Sequence, residues 1–241
     1  MHSRIDDRSW PAGTVLARLP RHARDSLLRL GVVQSYPAQH VLLRQGDRGE
    51  TVHVLLKGVV KVSAVAENGT ETLLGRRVCG DIVGEMAVFL DTERTATVVT
   101  CGPVVTEMIN GSEFRRYVET HAEAGVALYQ MSGDRLLSSV QRRLESAGND
   151  VPTRVARALR DIAQQDLSSG AARSGIEVRM TQAELAAQVS AKEGTVQKAL
   201  RELEAKGMVR RGRGRVMIVD SAGLRNLTGD RSAPMVGEGR R

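Results

Sequence analysis

Residues 80–96 read GDIVGEMAVFLDTERTA, and this stretch decides how the rest of the chain is read. Gly80 and Gly84 let the backbone turn sharply and come close to a ligand. Gly84, Glu85, Met86 and Ala87 can open a helical turn, whose unpaired N–H groups suit an anion. Arg94 adds a guanidinium fork and Thr95 a hydroxyl donor, so the group reads as a cradle for one phosphate. Glu85 shares the sign of a phosphate and is better used on a sugar hydroxyl, as the ribose-binding acid is in dinucleotide folds. A sugar-binding acid beside a phosphate fork describes a small nucleotide with few charges.

Outward from this stretch, residues 34–109 carry short β-rich runs: Val41–Leu43, Val52–Leu56, Val59–Val65, Thr72–Leu74, Ile82–Val83, Ala96–Thr100 and Val104–Ile109. Turn signals separate them at Gly46-Asp47, Lys57-Gly58, Asn68-Gly69, Cys79-Gly80 and Gly102-Pro103. Many short strands with regular turns predict a sandwich or barrel. Asn68-Gly69 is a strong hairpin signal. Ahead of the strands, Arg18–Leu30 has near-helical apolar spacing with Pro20 in its first turn, which predicts one short helix.

Residues 80–96 resemble the phosphate-binding cassette of the cyclic AMP receptor protein/FNR family of bacterial transcription regulators. The resemblance implies Arg94 and Thr95 on a cyclic phosphate, Glu85 on the ribose 2′-hydroxyl, and main-chain N–H groups from Gly84 to Met86, with Ala87 next to them. The gap from Glu85 to Arg94 is about one residue shorter than in the best-known member. The Gly46-Asp47 to Gly58 spacing resembles the same family's jelly roll. A regulator that keeps the jelly roll without a ligand would account for the glycines, but it gives Arg94 and Glu85 no task.

Ser112-Glu113 begins a helical region, with Ser112 as the expected N-cap. His121–Ala147 then reads as one long helix. Val126, Tyr129, Gly133, Leu136 and Val140 follow a 3,4 spacing, the seam of a coiled coil. Leu128, Met131, Leu137, Leu144 and Ala147 form a second apolar stripe. A helix apolar on two sides needs two neighbours, so a parallel homodimer is expected. The resemblance makes this the dimer helix and sets Ser139 near the purine; a surface helix serine is the plain alternative. Gly148-Asn149-Asp150 predicts a hinge, with Asp150 or Thr153 capping a helix over Val151–Gln165.

Thr181 with Glu184 three residues on is a capping box, opening a helix over Gln182–Val189. A turn at Ser190-Ala191 leads to a second helix, Lys192–Lys206. Leu185, Ala186, Val189, Val196, Ala199, Leu200 and Leu203 pack the pair together, leaving Lys192, Glu193, Thr195, Gln197, Lys198 and Arg201 outward. Val209, the run Arg210-Arg211-Gly212-Arg213-Gly214-Arg215 and Val216–Val219 form strand, basic turn and strand, a wing. Met180–Glu204 resembles the helix-turn-helix of the same family, and the resemblance as a whole covers roughly residues 20–220. Gln197 and Lys198 can donate to guanine or adenine edges, and Glu193 can accept from cytosine. Thr181, Thr195, Arg201, Arg211 and Arg213 suit phosphates, which position without specifying. The best-known member's pattern of Arg, Glu and a later Arg falls here on Glu193, Gly194 and Lys198, so its half-site is not assumed.

Charge follows the same division. Residues 1–149 hold 18 Lys+Arg against 17 Asp+Glu, and residues 150–241 hold 17 against 11, so the overall +7 sits mostly in the second part. A near-neutral sensor followed by a polyanion binder fits that asymmetry. Two cysteines, Cys79 and Cys101, argue against a disulfide framework and fit a reducing cytosol. The polar N-terminus predicts no secretory signal, and no apolar run approaches a membrane span, which needs about 20 residues.

An enzyme of the cupin type would need a His-x-His pair with further ligands; His2, His22, His40, His53 and His121 form no such pair, so neither catalysis nor a metal is expected. Iron–sulfur sensing needs a cysteine cluster near the N-terminus, and none precedes Cys79. Cys79, beside turn Gly80, is read as structural rather than as a haem ligand.

The expected fold is α+β: a cyclic nucleotide-binding jelly roll over 18–120, a dimerisation helix over 121–147, a winged helix-turn-helix over 148–229, and a disordered tail over 230–241. The expected function is a cytoplasmic, homodimeric regulator that binds a palindromic DNA operator, contacts RNA polymerase and answers to a cyclic nucleotide, most simply cyclic AMP. Alternatives are the same architecture without an effector, or with cyclic GMP, cyclic di-GMP or a haem or redox signal.

Overall fold

The computed structural model describes residues 10–69, 71–148, 150–168, 176–189, 191–212 and 214–229. Most of the loop expected over Asp166–Gly175, the tail from Asp230, and Asn149, Ser190 and Arg213 lie outside them. By its contacts the chain forms two units. The first holds Met1–Ala64 and Arg76–Arg135; the second holds Val65–Gly75 and Leu136–Arg241.

The first unit opens with α1 (Val15–Arg18) and α2 (Arg21–Leu27), where the sequence predicts a single helix. Pro20 divides them. It is the N-cap of α2, and Leu19 before it is extended at ψ 136°, because a proline ring crowds an α-helical predecessor. Then come β1 (Val32–Tyr36), β2 (Val41–Leu43), β3 (Thr51–Lys57), β4 (Val59–Val65), β5 (Glu71–Val78) and β6 (Ile82–Val83). After α3 (Glu85–Leu90) follow β7 (Thr97–Thr100) and β8 (Val104–Asn110). They form two four-stranded sheets, ordered β1-β8-β3-β6 and β2-β7-β4-β5. This is the expected jelly roll, with β1 as an edge strand the sequence did not reveal.

The reason β3 sits inside its sheet is legible in its residues. Val52, Val54, Leu55 and Leu56 are all buried, so both faces of the strand are covered. Val52 and Val54 join the core formed with α1, α2 and the helices after β8, while Leu55 joins Leu43, Val60, Val83, Val98 and Val104 on the other side. The β3–β4 turn depends on Gly58, at φ +90°; a side chain there would meet the Pro103 carbonyl oxygen at 2.6 Å.

α4 (Gly111–Thr120) is capped by Asn110, whose side chain accepts from the Ser112 N–H at 2.9 Å. Asn110 therefore does what was expected of Ser112. α5 (Ala122–Gly148) begins at Ala122, since His121 closes α4. Its Ala124, Ala127, Leu128 and Met131 recur at helical spacing and are buried in the first unit's core. Val126, Tyr129, Leu136 and Val140 lie exposed at 57, 80, 65 and 44 %. Leu137 and Leu144, expected on the packed stripe, are exposed as well.

One core position departs from the apolar pattern. Glu107 on β8 is 1 % exposed. Its Oε1 accepts the Gly31 N–H at 3.0 Å, and its Oε2 has no partner among the described residues. Burial raises its carboxyl to about 7 against the opposing pull of that N–H. The folded chain then holds a proton that the unfolded chain releases near its ordinary value. The contribution of Glu107 to stability is therefore expected to be largest at low pH, to fall as pH rises from about 4.5 to about 7, and to be level above. Urea unfolding of Glu107→Gln is expected to lose this slope and to gain up to about 3 kcal/mol relative to the parent near pH 8.

The second unit holds α6 (Val151–Ser168), β9 (Ile176–Val178), α7 (Gln182–Gln188), α8 (Glu193–Ala205), β10 (Val209–Gly212), β11 (Arg215–Ile218) and α9 (Ser221–Leu227). Asp150 caps α6 by accepting from the Thr153 N–H at 3.0 Å. Val155, Leu159 and Ile162 of α6 share one core with Leu185, Val196, Leu200 and Leu203, and Leu73 of the 65–75 hairpin is buried there too. β10, β11 and β9 form a three-stranded antiparallel sheet in that order. β9 and α9, the latter capped by Asp220, were not read from the sequence.

Candidate functional site

Arg94 is a charged side chain held in place on every side. Its backbone N–H donates to the Asp47 carbonyl at 2.8 Å, and its own carbonyl accepts from the Gly46 N–H at 2.9 Å. The Gly46-Asp47 turn therefore fixes the main chain of Arg94 against the β2–β3 connection. The guanidinium is buried, the whole residue being 5 % exposed. Its Nη1 donates to the Gly84 carbonyl at 2.6 Å and its Nη2 to the Thr51 carbonyl at 2.6 Å. It points neither to bulk solvent nor onto a carboxylate within ion-pair distance among the described residues. Its hydrogen bonds go to neutral carbonyls.

Gly84 makes that approach possible. It is the N-cap of α3 at φ +90°, and a side chain there would meet Arg94 Nη1 at 2.8 Å and the Thr51 carbonyl oxygen at 3.0 Å. Glu85 follows, itself 5 % exposed. Arg135 of α5 reaches it, Nη1 donating to Glu85 Oε1 at 2.7 Å while Nη2 donates to the Ile82 carbonyl at 2.9 Å. Asp81 lies 4.0 Å from the same guanidinium. A buried carboxylate left alone would be costly; Arg135 pairs with it and orients it. The sequence reading gave Arg135 no task. The one available signal was that a buried Glu85 requires a cation.

His53 on β3 adds no charge. Burial first, and the charge of Arg94 second, lower its ring to about 4, and its Nδ1 lies 3.0 Å from Thr106 Oγ1. Glu85, Asp47 and Glu50 in turn favour the charged form of Arg94 against the effect of its burial. The site thus sets a cation held by two carbonyls beside a carboxylate paired with Arg135. That arrangement suits a guest with a single negative charge and hydroxyl groups. Of the other expected contacts, Thr95 lies exposed directly after Arg94, Met86 is exposed and Ala87 buried on α3. Ser139 is half-buried on α5 within the second unit.

In the second unit the capping box is present in full: Thr181 Oγ1 accepts the Glu184 N–H at 3.2 Å, and the Thr181 N–H donates to Glu184 Oε2 at 2.9 Å. α8 buries Val196, Ala199, Leu200 and Leu203. Lys192, Glu193, Thr195, Lys198 and Arg201 are exposed and Gln197 half-buried. Arg211 is exposed, and its Nε donates to Glu204 Oε2 at 2.6 Å. Arg213 lies outside the described residues.

Residues 33–121 match the cyclic nucleotide-binding domain and residues 153–227 the Crp-like helix-turn-helix domain. The chain belongs to the CRP/FNR family of transcription regulators. A CRP-like cAMP-activated global transcriptional regulator of Mycobacterium tuberculosis is 28 % identical over 189 residues, 78 % of this chain and 84 % of that one. The cAMP-activated regulator Vfr of Pseudomonas aeruginosa is 29 % identical over 199 residues, 81 % and 92 % of the two chains. A solved CRP/FNR family regulator from Thermus thermophilus superposes with a TM-score of 0.70 at 27 % identity, covering 83 % of this chain and all of that one. The c-di-GMP responsive regulator CLP of Xanthomonas campestris gives the same TM-score at 23 % identity, a likeness of fold. For a CRP/FNR protein, the Arg94–Gly84–Glu85 group lies in the domain that meets the effector and α8 in the domain that meets DNA. Among the described residues no group of metal-ligating side chains is assembled, and no helix is long and apolar enough to cross a membrane.

Proposed function

We propose that this chain is a homodimeric regulator of transcription in the cytoplasm whose jelly roll binds cyclic AMP and whose winged helix-turn-helix reads a palindromic site in double-stranded DNA. The observation that supports the effector is the buried Arg94 guanidinium, anchored by the Gly84 and Thr51 carbonyls, with no carboxylate within ion-pair distance among the described residues. A cyclic phosphodiester carries one negative charge and matches one such cation; Glu85, oriented by Arg135, takes the ribose 2′-hydroxyl. Thr95 adds a donor to the phosphate. The exposed row Val126, Tyr129, Leu136 and Val140 is the dimer seam. Two copies set their α8 helices about 34 Å apart, one turn of DNA. The bound dimer then presents a surface to RNA polymerase.

Cyclic AMP acts by population shift, binding the DNA-competent dimer better than the alternative. The test is DNA affinity with and without the nucleotide, on a duplex selected by the chain itself from a randomised pool. Cyclic AMP is expected to tighten binding roughly 10- to 100-fold, a coupling of usual size. Equal affinity in its presence and absence overturns the effector assignment, and cyclic GMP and cyclic di-GMP serve as parallel arms. On the same duplex, Lys198→Ala is expected to lose roughly tenfold in discrimination between the selected site and random DNA. A uniform loss on both duplexes would make Lys198 a phosphate contact.

A further inference from the structure

We infer that Arg211 is a positioning residue for DNA reading, one that fastens the wing to the end of the recognition helix through Glu204 and makes no phosphate contact. This rests on the proposal that α8 and the wing read DNA. Glu204 stands in the last turn of α8, where the helix dipole disfavours a negative charge. Its carboxylate is placed there at a local cost, and the geometry shows what offsets it. Glu204 Oε2 accepts from Arg211 Nε at 2.6 Å and Oε1 from the Arg211 backbone N–H at 2.9 Å.

The second bond has its own cause. β10 is the outer strand of the sheet β10-β11-β9, so the N–H at 211 faces away from β11 and lacks a ladder partner. Glu204 supplies one. A single carboxylate thus holds both the main chain and the side chain of Arg211, which fixes the angle of the wing against α8. These two bonds, backbone before side chain, also hold the Glu204 carboxyl below its ordinary range. The next strand is tied on its other side, Arg215 Nη1 reaching Glu177 Oε2 of β9 at 3.4 Å. The wing arginines are therefore not one set of phosphate contacts: Arg211 is engaged by Glu204 and Arg215 by Glu177.

The two roles predict opposite signs for Glu204. The full chain is titrated onto the selected duplex over a salt series, with cyclic AMP present throughout. Arg211→Ala is expected to weaken binding roughly three- to tenfold with an unchanged dependence of log affinity on log salt, since no counterion is released at 211. Glu204→Ala is expected to weaken binding by a similar factor even though it removes a negative charge from the DNA-facing unit. The double variant is expected to be no weaker than either single one. Both side chains are 34 % exposed, so the fold should survive, and Glu204→Gln repeats the test with least disturbance. A salt slope reduced by about one in Arg211→Ala, together with tighter binding by Glu204→Ala, would make Arg211 a phosphate contact and overturn the inference. Failure of the unsubstituted chain to select any duplex would instead defeat the DNA reading, and this inference with it.

Discussion

Arg94→Ala is expected to bind cyclic AMP at least about 100-fold more weakly than the parent chain, the loss of one buried charge-assisted contact worth about 3 kcal/mol. The substitution removes more than a charge. It leaves the Gly84 and Thr51 carbonyls without the donor they share. An unmet buried acceptor costs about 1–3 kcal/mol, so some loss of stability is expected alongside the loss of binding. The two effects separate with Arg94→Lys. Lysine keeps the charge but has no fork to span both carbonyls and a phosphate oxygen. Binding by the lysine variant is expected to fall between alanine and the parent. Calorimetry measures the affinities and urea unfolding the stabilities. Near-parental affinity in Arg94→Ala would remove the phosphate from this site.

The second large effect is expected at the α5 seam. Leu136→Asp places two carboxylates, one per chain, at the centre of the proposed dimer contact. The row it interrupts is apolar and exposed in the single chain, at 57 % for Val126, 80 % for Tyr129 and 65 % for Leu136 itself. A monomer rarely leaves so long an apolar stripe in water. Because Leu136 is already exposed, the substitution spares the chain's own core. Sedimentation is expected to show a folded monomer where the parent is a dimer. Affinity for a two-half-site duplex is expected to fall at least about 100-fold, since each half-site then binds alone. An unchanged dimer would move the contact to another face.

Much of this architecture could be read in the chain because its signals are local. Thr181 and Glu184 form their box within one helical turn, and both members reach their partners. Gly84 and Arg94 stand out because a turn glycine, an acid and an arginine fall within one short stretch. What escaped reading depends on distant partners. β1 has no alternating pattern, since Val32 and Val33 are both exposed and its order comes from β8. Arg135 takes its task from Asp81, Ile82 and Glu85, fifty or more residues away in the chain. Glu107 looks like an ordinary strand acid until the rest of the first unit covers it. The Arg18–Leu30 helix divided because Leu19 obeys the proline after it rather than the apolar spacing around it. Arg211 was read by type, as a wing arginine, and its place was decided by an acid at the end of another helix.

Arg94 and Glu85, in the reading proposed, form the seat of a cyclic nucleotide, and every later step from effector to DNA depends on that seat. Calorimetric titration of the unsubstituted chain with cyclic AMP, beside adenosine as the same base and sugar without a phosphate, examines it without any substitution. Saturable binding of one cyclic AMP per chain is expected, with no measurable heat from adenosine. Equal affinity for the two, or no binding by cyclic AMP, cyclic GMP or cyclic di-GMP, would show that the seat holds no nucleotide phosphate.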